Sequence, residues 1–185
     1  MTRIILASGS PRRKEILKHH HIDFEIKVSD VDESCEQMSP EDLVKELSAR
    51  KANAVFSDYS KEIVLGADTV VAYESEILGK PADDEEAFQM IKMIQGNRHQ
   101  VYTGVTICSS KKTITFAEKT DVVVKPMTDK EIKDYIATGE GRDKAGSYAI
   151  QGLFGCYILG YEGDYENVVG LPGSRVKEVL EKEFF

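Results

Sequence analysis

Arg3-Ile4-Ile5-Leu6-Ala7-Ser8-Gly9-Ser10-Pro11-Arg12-Arg13 changes its pattern within three residues. Arg3 to Ala7 reads as a buried strand. Ser8-Gly9-Ser10 reads as a tight turn, and Ser10-Pro11 as an N-cap followed by proline at the first helical position, where a missing N–H costs nothing. The helix so begun should run to about His19. A strand delivered straight into a helix is the unit of an alternating α/β chain.

The alternation continues outward from that stretch. Asp23 to Val31 is expected to be extended. Ser39-Pro40-Glu41-Asp42 marks a second helix start, again with a cap and a proline at the first position. Ile63-Val64-Leu65 begins a buried strand that continues through Val70-Val71-Ala72. Asp83 to Gln95 carries Ala87, Phe88, Ile91 and Ile94 at helical spacing, and Gly96 ends it. Val101 to Cys108 and Thr113 to Val124 predict two strands around a polar turn at Ser109 to Lys112. Thr128 with Glu131 forms a capping-box pattern for a helix that should stop near Gly139. A Gly-rich segment, a strand around Cys156 to Tyr161 and a last helix after Leu171-Pro172 complete the chain. No internal repeat, low-complexity tract or linker interrupts it.

Composition narrows the function. The chain has 185 residues, 41% hydrophobic and 30% charged, which is ordinary for a soluble globular protein. At that length it should bury roughly 70% of its unfolded surface and fold without a disulfide or metal. No apolar run approaches the roughly 20 residues that span a bilayer, and the opening Met1-Thr2-Arg3-Ile4-Ile5-Leu6 is too short for a signal segment. Cys35, Cys108 and Cys156 are odd in number and scattered, which suits a reducing cytoplasm. The net charge of −8 opposes polymeric nucleic acid as a partner, because phosphate backbones are held mainly by Lys and Arg. A small anion in one local basic pocket remains compatible with it.

Three features ask for such an anion. Ser8 to Arg13 joins small residues, a helix N-terminus with unpaired N–H groups, and two arginines, all suited to phosphate. Arginines at that end oppose the helix dipole unless an anion offsets them; the alternative is an ordinary cap with two solvated side chains. Lys51 falls inside the inward stripe that Leu43, Leu47, Ala54 and Val55 define, so it must snorkel, pair with a carboxylate or meet an anionic ligand. Asp68, inside the apolar run Val64 to Val71, is either a buried ion pair or a metal ligand and general base for water. Gly66 and Ala67 leave room beside it.

Other positions carry less. Lys80 in Leu78-Gly79-Lys80-Pro81 sits at a turn, where a solvated loop serves equally well. Asp30, Asp32 and Glu33 offer oxygen ligands to a hard cation or form an acidic surface loop. His19, His20 and His21 suit a solvated helix end better than a metal site, since consecutive residues face different ways. Cys108 and Cys156 sit in strand-like runs and are expected in the core.

In order along the chain, Ser8-Gly9-Ser10-Pro11-Arg12-Arg13, Gly66-Ala67-Asp68-Thr69-Val70-Val71, Gly79-Lys80-Pro81, Asp143-Lys144-Ala145-Gly146-Ser147-Tyr148-Ala149-Ile150-Gln151-Gly152, Gly163-Asp164-Tyr165 and Val168-Val169-Gly170-Leu171-Pro172 resemble the Maf family of nucleotide pyrophosphatases, which bears an older label as septum-formation inhibitors. The resemblance covers almost the whole chain. It implies an α/β fold with an elongated mixed β-sheet and flanking helices, similar to inosine-triphosphate pyrophosphatases, in one domain over residues 1–185 with two lobes around a cleft. It implies hydrolysis between the α and β phosphates with a divalent cation, Mg or Mn, and a small-molecule nucleotide as substrate. Asp68 matches the family's proton acceptor. Arg12, Thr69 and Gln151 match positions that separate a dTTP/UTP subfamily from one acting on 7-methyl-GTP.

The residues are compatible with that chemistry. The triphosphate would sit on the Ser8–Arg13 turn, Ser8 and Ser10 giving it room, with Arg13, Lys51 and Lys80 neutralising charge. Glu33 and Asp68 would hold the metal. Asp143, Lys144 and Gln151 would close the other side, Gln151 offering an amide to a base edge. The resemblance further implies a house-cleaning role against modified pyrimidine nucleotides and a homodimer. Two alternatives stand beside this: a purine-directed pyrophosphatase of the inosine-triphosphate type, and a nucleotide-binding regulator of cell division with little turnover.

Overall fold

Short polar caps set where the helices begin. The computed structural model describes residues 3–28 and 30–185; Met1 and Thr2 of the opening run, and Ser29 of the predicted extended stretch, lie outside the described residues. Strand β1 (Ile4–Leu6) leads into α1 (Pro11–His19), then β2 (Phe24–Ile26) and α2 (Pro40–Phe56). Strands β3 (Ile63–Tyr73) and β4 (Glu76–Leu78), helix α3 (Asp84–Ile94), strands β5 (Arg98–Cys108) and β6 (Thr113–Val124) and helix α4 (Asp129–Ala137) follow. Two 3-10 turns, Ala145–Ser147 and Leu153–Tyr157, precede β7 (Ile158–Glu162), α5 (Tyr165–Val169) and α6 (Gly173–Glu183).

Ser39 caps α2 by accepting the Asp42 N–H, and Asp83 caps α3 by accepting that of Glu86. Acidic residues fill both first turns, where the helix dipole favours them. The capping box of Thr128 and Glu131 forms as its spacing predicts, and Gly139 after α4 takes a positive φ of 74°. One expected cap differs. Ser10 stands at the N-cap of α1, but its side chain makes no capping bond; its own N–H donates to Ser8 Oγ at 3.2 Å instead.

The strands form one mixed sheet in the order β2-β1-β3-β5-β6-β7, with β4 paired to β3 off that path. β1 runs parallel to both β2 and β3, while β3–β4 and β6–β7 are antiparallel. A mixed sheet with flanking helices is therefore the architecture: the alternating patterns predict an α/β chain, and the mixed sheet is what the family resemblance implies. Among the described residues, no helix is long and apolar enough to cross a membrane.

The chain divides into two compact units. The first comprises Met1–Thr69, Thr103–Glu118 and Gly170–Phe185. Ile5, Ala7, Ala52, Val55, Val64 and Cys108 pack together within it. The second comprises Val70–Tyr102 and Lys119–Val169; its core holds Ile91, Ile94, Val122, Ile132, Tyr135 and Phe154. Burial at Cys108 pushes its thiol up to about 11, which keeps it protonated and unreactive. Cys156, expected in the core, is exposed instead, because the 3-10 turn carries it out before β7 begins.

Candidate active site

Helix α2 approaches β3 unusually closely. A Cβ on Gly66 would lie 2.5 Å from the Ser48 carbonyl oxygen and 2.6 Å from the Ala52 nitrogen. The small residue that seemed to leave room beside Asp68 thus leaves room for the helix backbone. That contact carries Lys51, the residue before Ala52, onto Asp68, two residues beyond Gly66. Lys51 Nζ donates to Asp68 Oδ1 at 2.5 Å and pairs with Glu33 Oε1 at 3.0 Å. The Lys51 and Asp68 side chains are only 18% and 12% exposed, and that of Glu33 is 59% exposed.

Of the three fates open to Lys51, carboxylate pairing is the one the fold adopts. The inward stripe itself is Val44, Leu47, Ser48, Ala52 and Val55, one residue out of phase with the Leu43 and Ala54 positions that the pattern implied. Lys51 stays at its margin. Arg50 has a role of its own. It donates to the carbonyls of Asp32 at 2.9 Å and Ser34 at 2.7 Å, and to Glu46 at 2.8 Å. It thereby straps the acidic loop to α2 on either side of Glu33. Asp32 turns its carboxylate back onto Ser34, so Glu33 is the loop acid that reaches Lys51.

A second centre in the same unit is the Arg13 guanidinium. Its Nε donates to the Gly170 carbonyl at 2.9 Å, Nη1 to Ser8 Oγ at 3.2 Å and Nη2 to Thr69 Oγ1 at 3.1 Å. Thr69 in turn shares a hydrogen bond with Thr103 at 2.8 Å. Arg13 is therefore a brace joining α1, β1, β3 and the start of the last segment, with two of its five N–H groups left for other acceptors. Burial lowers its pKa and the Asp68 charge partly restores it. Arg12 stands partly buried on the first turn of α1, and no acidic residue shares that turn.

The candidates of the second unit gather separately. The Gly146 N–H donates to the Gly79 carbonyl at 3.1 Å, which ties the exposed Lys80 segment to the Asp143–Ser147 stretch. Lys144 Nζ donates to the Glu140 carbonyl at 2.7 Å and to Asp143 Oδ1 at 2.9 Å. Gln151 is exposed, separated by Gly152 from a 3-10 turn whose first amides bond to Glu140. Glu140 carried no signal in the sequence, since an acid after a helix reads as solvated surface.

A hard divalent cation fits the chemistry of the first unit. Glu33 and Asp68 present carboxylate oxygens to the same ammonium nitrogen, so a cation placed there would meet both. Among the described residues no group of three or more His, Cys, Asp or Glu could hold a metal ion. Two carboxylates suit Mg or Mn, which complete their octahedra with waters and substrate phosphate oxygens. The unit therefore combines a shielded carboxylate, a lysine that neutralises it, a helix N-terminus without acids, and a braced arginine. That combination can bind an anion and accept a proton beside it.

A family model described as Maf-like protein matches residues 3–183. A dTTP/UTP pyrophosphatase of Bacillus cereus (strain G9842) is 50% identical over 98% of this chain and 96% of the relative. A dTTP/UTP pyrophosphatase of Bacillus mycoides (strain KBAB4) is 49% identical over the same shares. Among solved structures, the Staphylococcus aureus Ham1 protein aligns at 16% identity with a TM-score of 0.48, over 66% of this chain and 72% of that one.

Proposed function

This chain belongs to the Maf family, and on that premise we propose that it hydrolyses dTTP and UTP to the monophosphate and pyrophosphate. The observation that carries the proposal is Asp68 held by Lys51 beside Glu33, in the unit that also holds the braced Ser8–Arg13 turn. The pyrophosphatase activity named for relatives sharing half of its residues comes to this chain on that basis.

The reaction needs a nucleophile, a proton acceptor and charge neutralisation. A water oxygen attacks the α-phosphorus and gives its proton to Asp68. The bond from the α-phosphorus to the bridging oxygen breaks, and pyrophosphate leaves with the bonding pair. Amides at the α1 N-terminus, Arg12, the two remaining N–H groups of Arg13 and Lys51 offset the phosphate charge within the first unit, and the family's pattern assigns Lys80, in the second unit, the same task. Ser8 and Ser10 keep the turn small enough for phosphate to approach the backbone. A Mg or Mn ion on Glu33 and Asp68, when bound, supplies Lewis-acid neutralisation and a more acidic water. By the family's pattern, Arg12 and Thr69 of the first unit and Gln151 of the second are the residues assigned to pyrimidine selection, and Asp143 and Lys144 belong to the same unit as Gln151. The protein acts on a small nucleotide rather than polymeric nucleic acid, as a homodimer in a reducing cytoplasm.

The test is pyrophosphate release from dTTP, UTP, CTP, GTP, 7-methyl-GTP and ITP with Mg or Mn. Strong release from dTTP and UTP supports the assignment, and Asp68→Asn should lower kcat by about a thousandfold, the middle of the range for losing a proton acceptor. Release mainly from ITP or 7-methyl-GTP would discard the pyrimidine assignment. Nucleotide binding without release would favour the regulatory alternative, and a folded Asp68→Asn variant with wild-type turnover would remove Asp68 from the chemistry.

A further inference from the structure

A carboxylate can cap a short helix from a distance. The 3-10 turn Leu153–Tyr157 begins after Gly152, whose position provides no side-chain cap. Its first N–H groups would be orphans by the geometry of any helix start. Glu140 supplies the acceptor across a 13-residue separation: Leu153 N–H donates to Oε1 at 2.8 Å and Phe154 N–H to Oε2 at 3.3 Å. The Tyr135 hydroxyl donates to Oε2 at 2.8 Å, so both oxygens are engaged. Gly152 is required by the same arrangement, because a Cβ there would collide with the Glu140 carboxylate. Glu140 is bound through its backbone as well, since its carbonyl accepts Lys144 Nζ.

Gln151 stands two residues before the first clamped amide, with Gly152 between them, and is exposed. An exposed glutamine on an untethered loop would spread its amide over many rotamers, and ordering it would oppose binding. A backbone held at 153 and 154 removes much of that freedom in advance. We propose that Glu140 is the positioning residue for base selection: its carboxylate fixes the backbone that presents Gln151. This rests on Gln151 as the residue that reads the base. Glu140 touches no reacting atom, so its loss should change which nucleotide is preferred more than how fast a bound one reacts.

The prediction separates two variants. Glu140→Ala removes every carboxylate contact but leaves the backbone carbonyl that Lys144 uses. Glu140→Gln keeps one oxygen and places an NH2 group against one of the two amides, which it cannot accept. Dissociation constants for non-hydrolysable α,β-imido analogues of dUTP and dCTP give the preference without turnover. Glu140→Ala should reduce the uracil preference at least tenfold, with Glu140→Gln between it and wild type. Where turnover is measured, KM for UTP should rise with kcat little changed. Ile91→Val, a mild change in the same core, should leave the preference intact.

An unchanged preference in a folded Glu140→Ala variant overturns the proposal. So does an equal loss in Ile91→Val, which would make the effect one of general loosening. A wild-type protein that binds both analogues equally overturns the Gln151 premise and the proposal with it. A wild-type protein that shows the preference but releases no pyrophosphate defeats the hydrolase assignment alone, and the affinity ratios still decide the role of Glu140.

Discussion

Lys51 places one positive charge between two carboxylates, and a divalent cation on Glu33 and Asp68 would occupy the same ground. Lys51→Met keeps much of the side-chain volume and removes the charge. Asp68 then stays largely covered without its partner, a loss on the order of 3 kcal/mol for an uncompensated buried charge. Millimolar Mn should return part of that stability by replacing the ammonium, so the rise in melting temperature on adding Mn should be larger in Lys51→Met than in wild type. If Mn leaves the variant's melting temperature unchanged, Glu33 and Asp68 are not its ligands. Much of this arrangement was legible beforehand. A lysine read as lying inside an apolar helix stripe and an aspartate inside an apolar strand each demand a partner, and they turn out to be each other's. Glu33 was less distinct from Asp30 and Asp32, because what singles it out is the Arg50 strap on the flanking carbonyls. Such a bond between a side chain and a distant backbone leaves no periodic trace.

Two glycines set how closely α2 lies on the sheet. Gly66 on β3 faces Ser48 and Ala52, and Gly104 on β5 faces the backbone of Val44 and Lys45. At both positions the obstruction is backbone, which cannot swing aside as a side chain would. Gly104→Ala and Gly66→Ala should each destabilise by about 3 kcal/mol, the upper part of the usual overpacking range. Gly66→Ala should also reduce turnover sharply, since it pushes α2 and Lys51 away from Asp68. Urea unfolding with parallel pyrophosphate assays checks both; wild-type stability in either variant would mean that the helix can shift without cost. Helices α2 and α4 were legible from their caps, because Ser39 and Thr128 act within three residues of their partners, and α3 from its apolar spacing, with the Asp83 cap going unread. Strand β4 was not. Its hairpin turns on Glu74 and Ser75, both at positive φ, where Asn-Gly or Asp-Gly is the usual signal. The early start of β5 was hidden in the same way by the polar run Arg98-His99-Gln100.

Which residues belong to which of the two units was the least legible feature, since β3, β5 and β6 each contribute residues to both. Periodicity marks a residue as inward but says nothing of which core receives it. His99 illustrates the point: polar in sequence, it is fully buried in the second unit. Its Nε2 shares a 2.5 Å hydrogen bond with the Tyr148 hydroxyl, and Nδ1 has no hydrogen-bond partner among the described residues. Tyr148 packs on Phe154 with ring centroids 4.8 Å apart, so this pair anchors the stretch before Gln151 as Glu140 anchors the stretch after it. Burial pulls the His99 pKa down from 6.5 to about 4, against a smaller opposing effect of Asp121. The sign of the consequence follows. Below pH 6.5 the unfolded chain protonates this imidazole while the folded one does not, so stability present above 6.5 is lost as pH falls towards 4. The full loss is about 3 kcal/mol. His99→Gln retains a group able to bond the Tyr148 hydroxyl and removes the titration. Its stability deficit relative to wild type, read from urea midpoints, should therefore shrink by about that amount between pH 7 and pH 4. Parallel pH curves for the two proteins would show that His99 is not the group through which acid loosens the second unit.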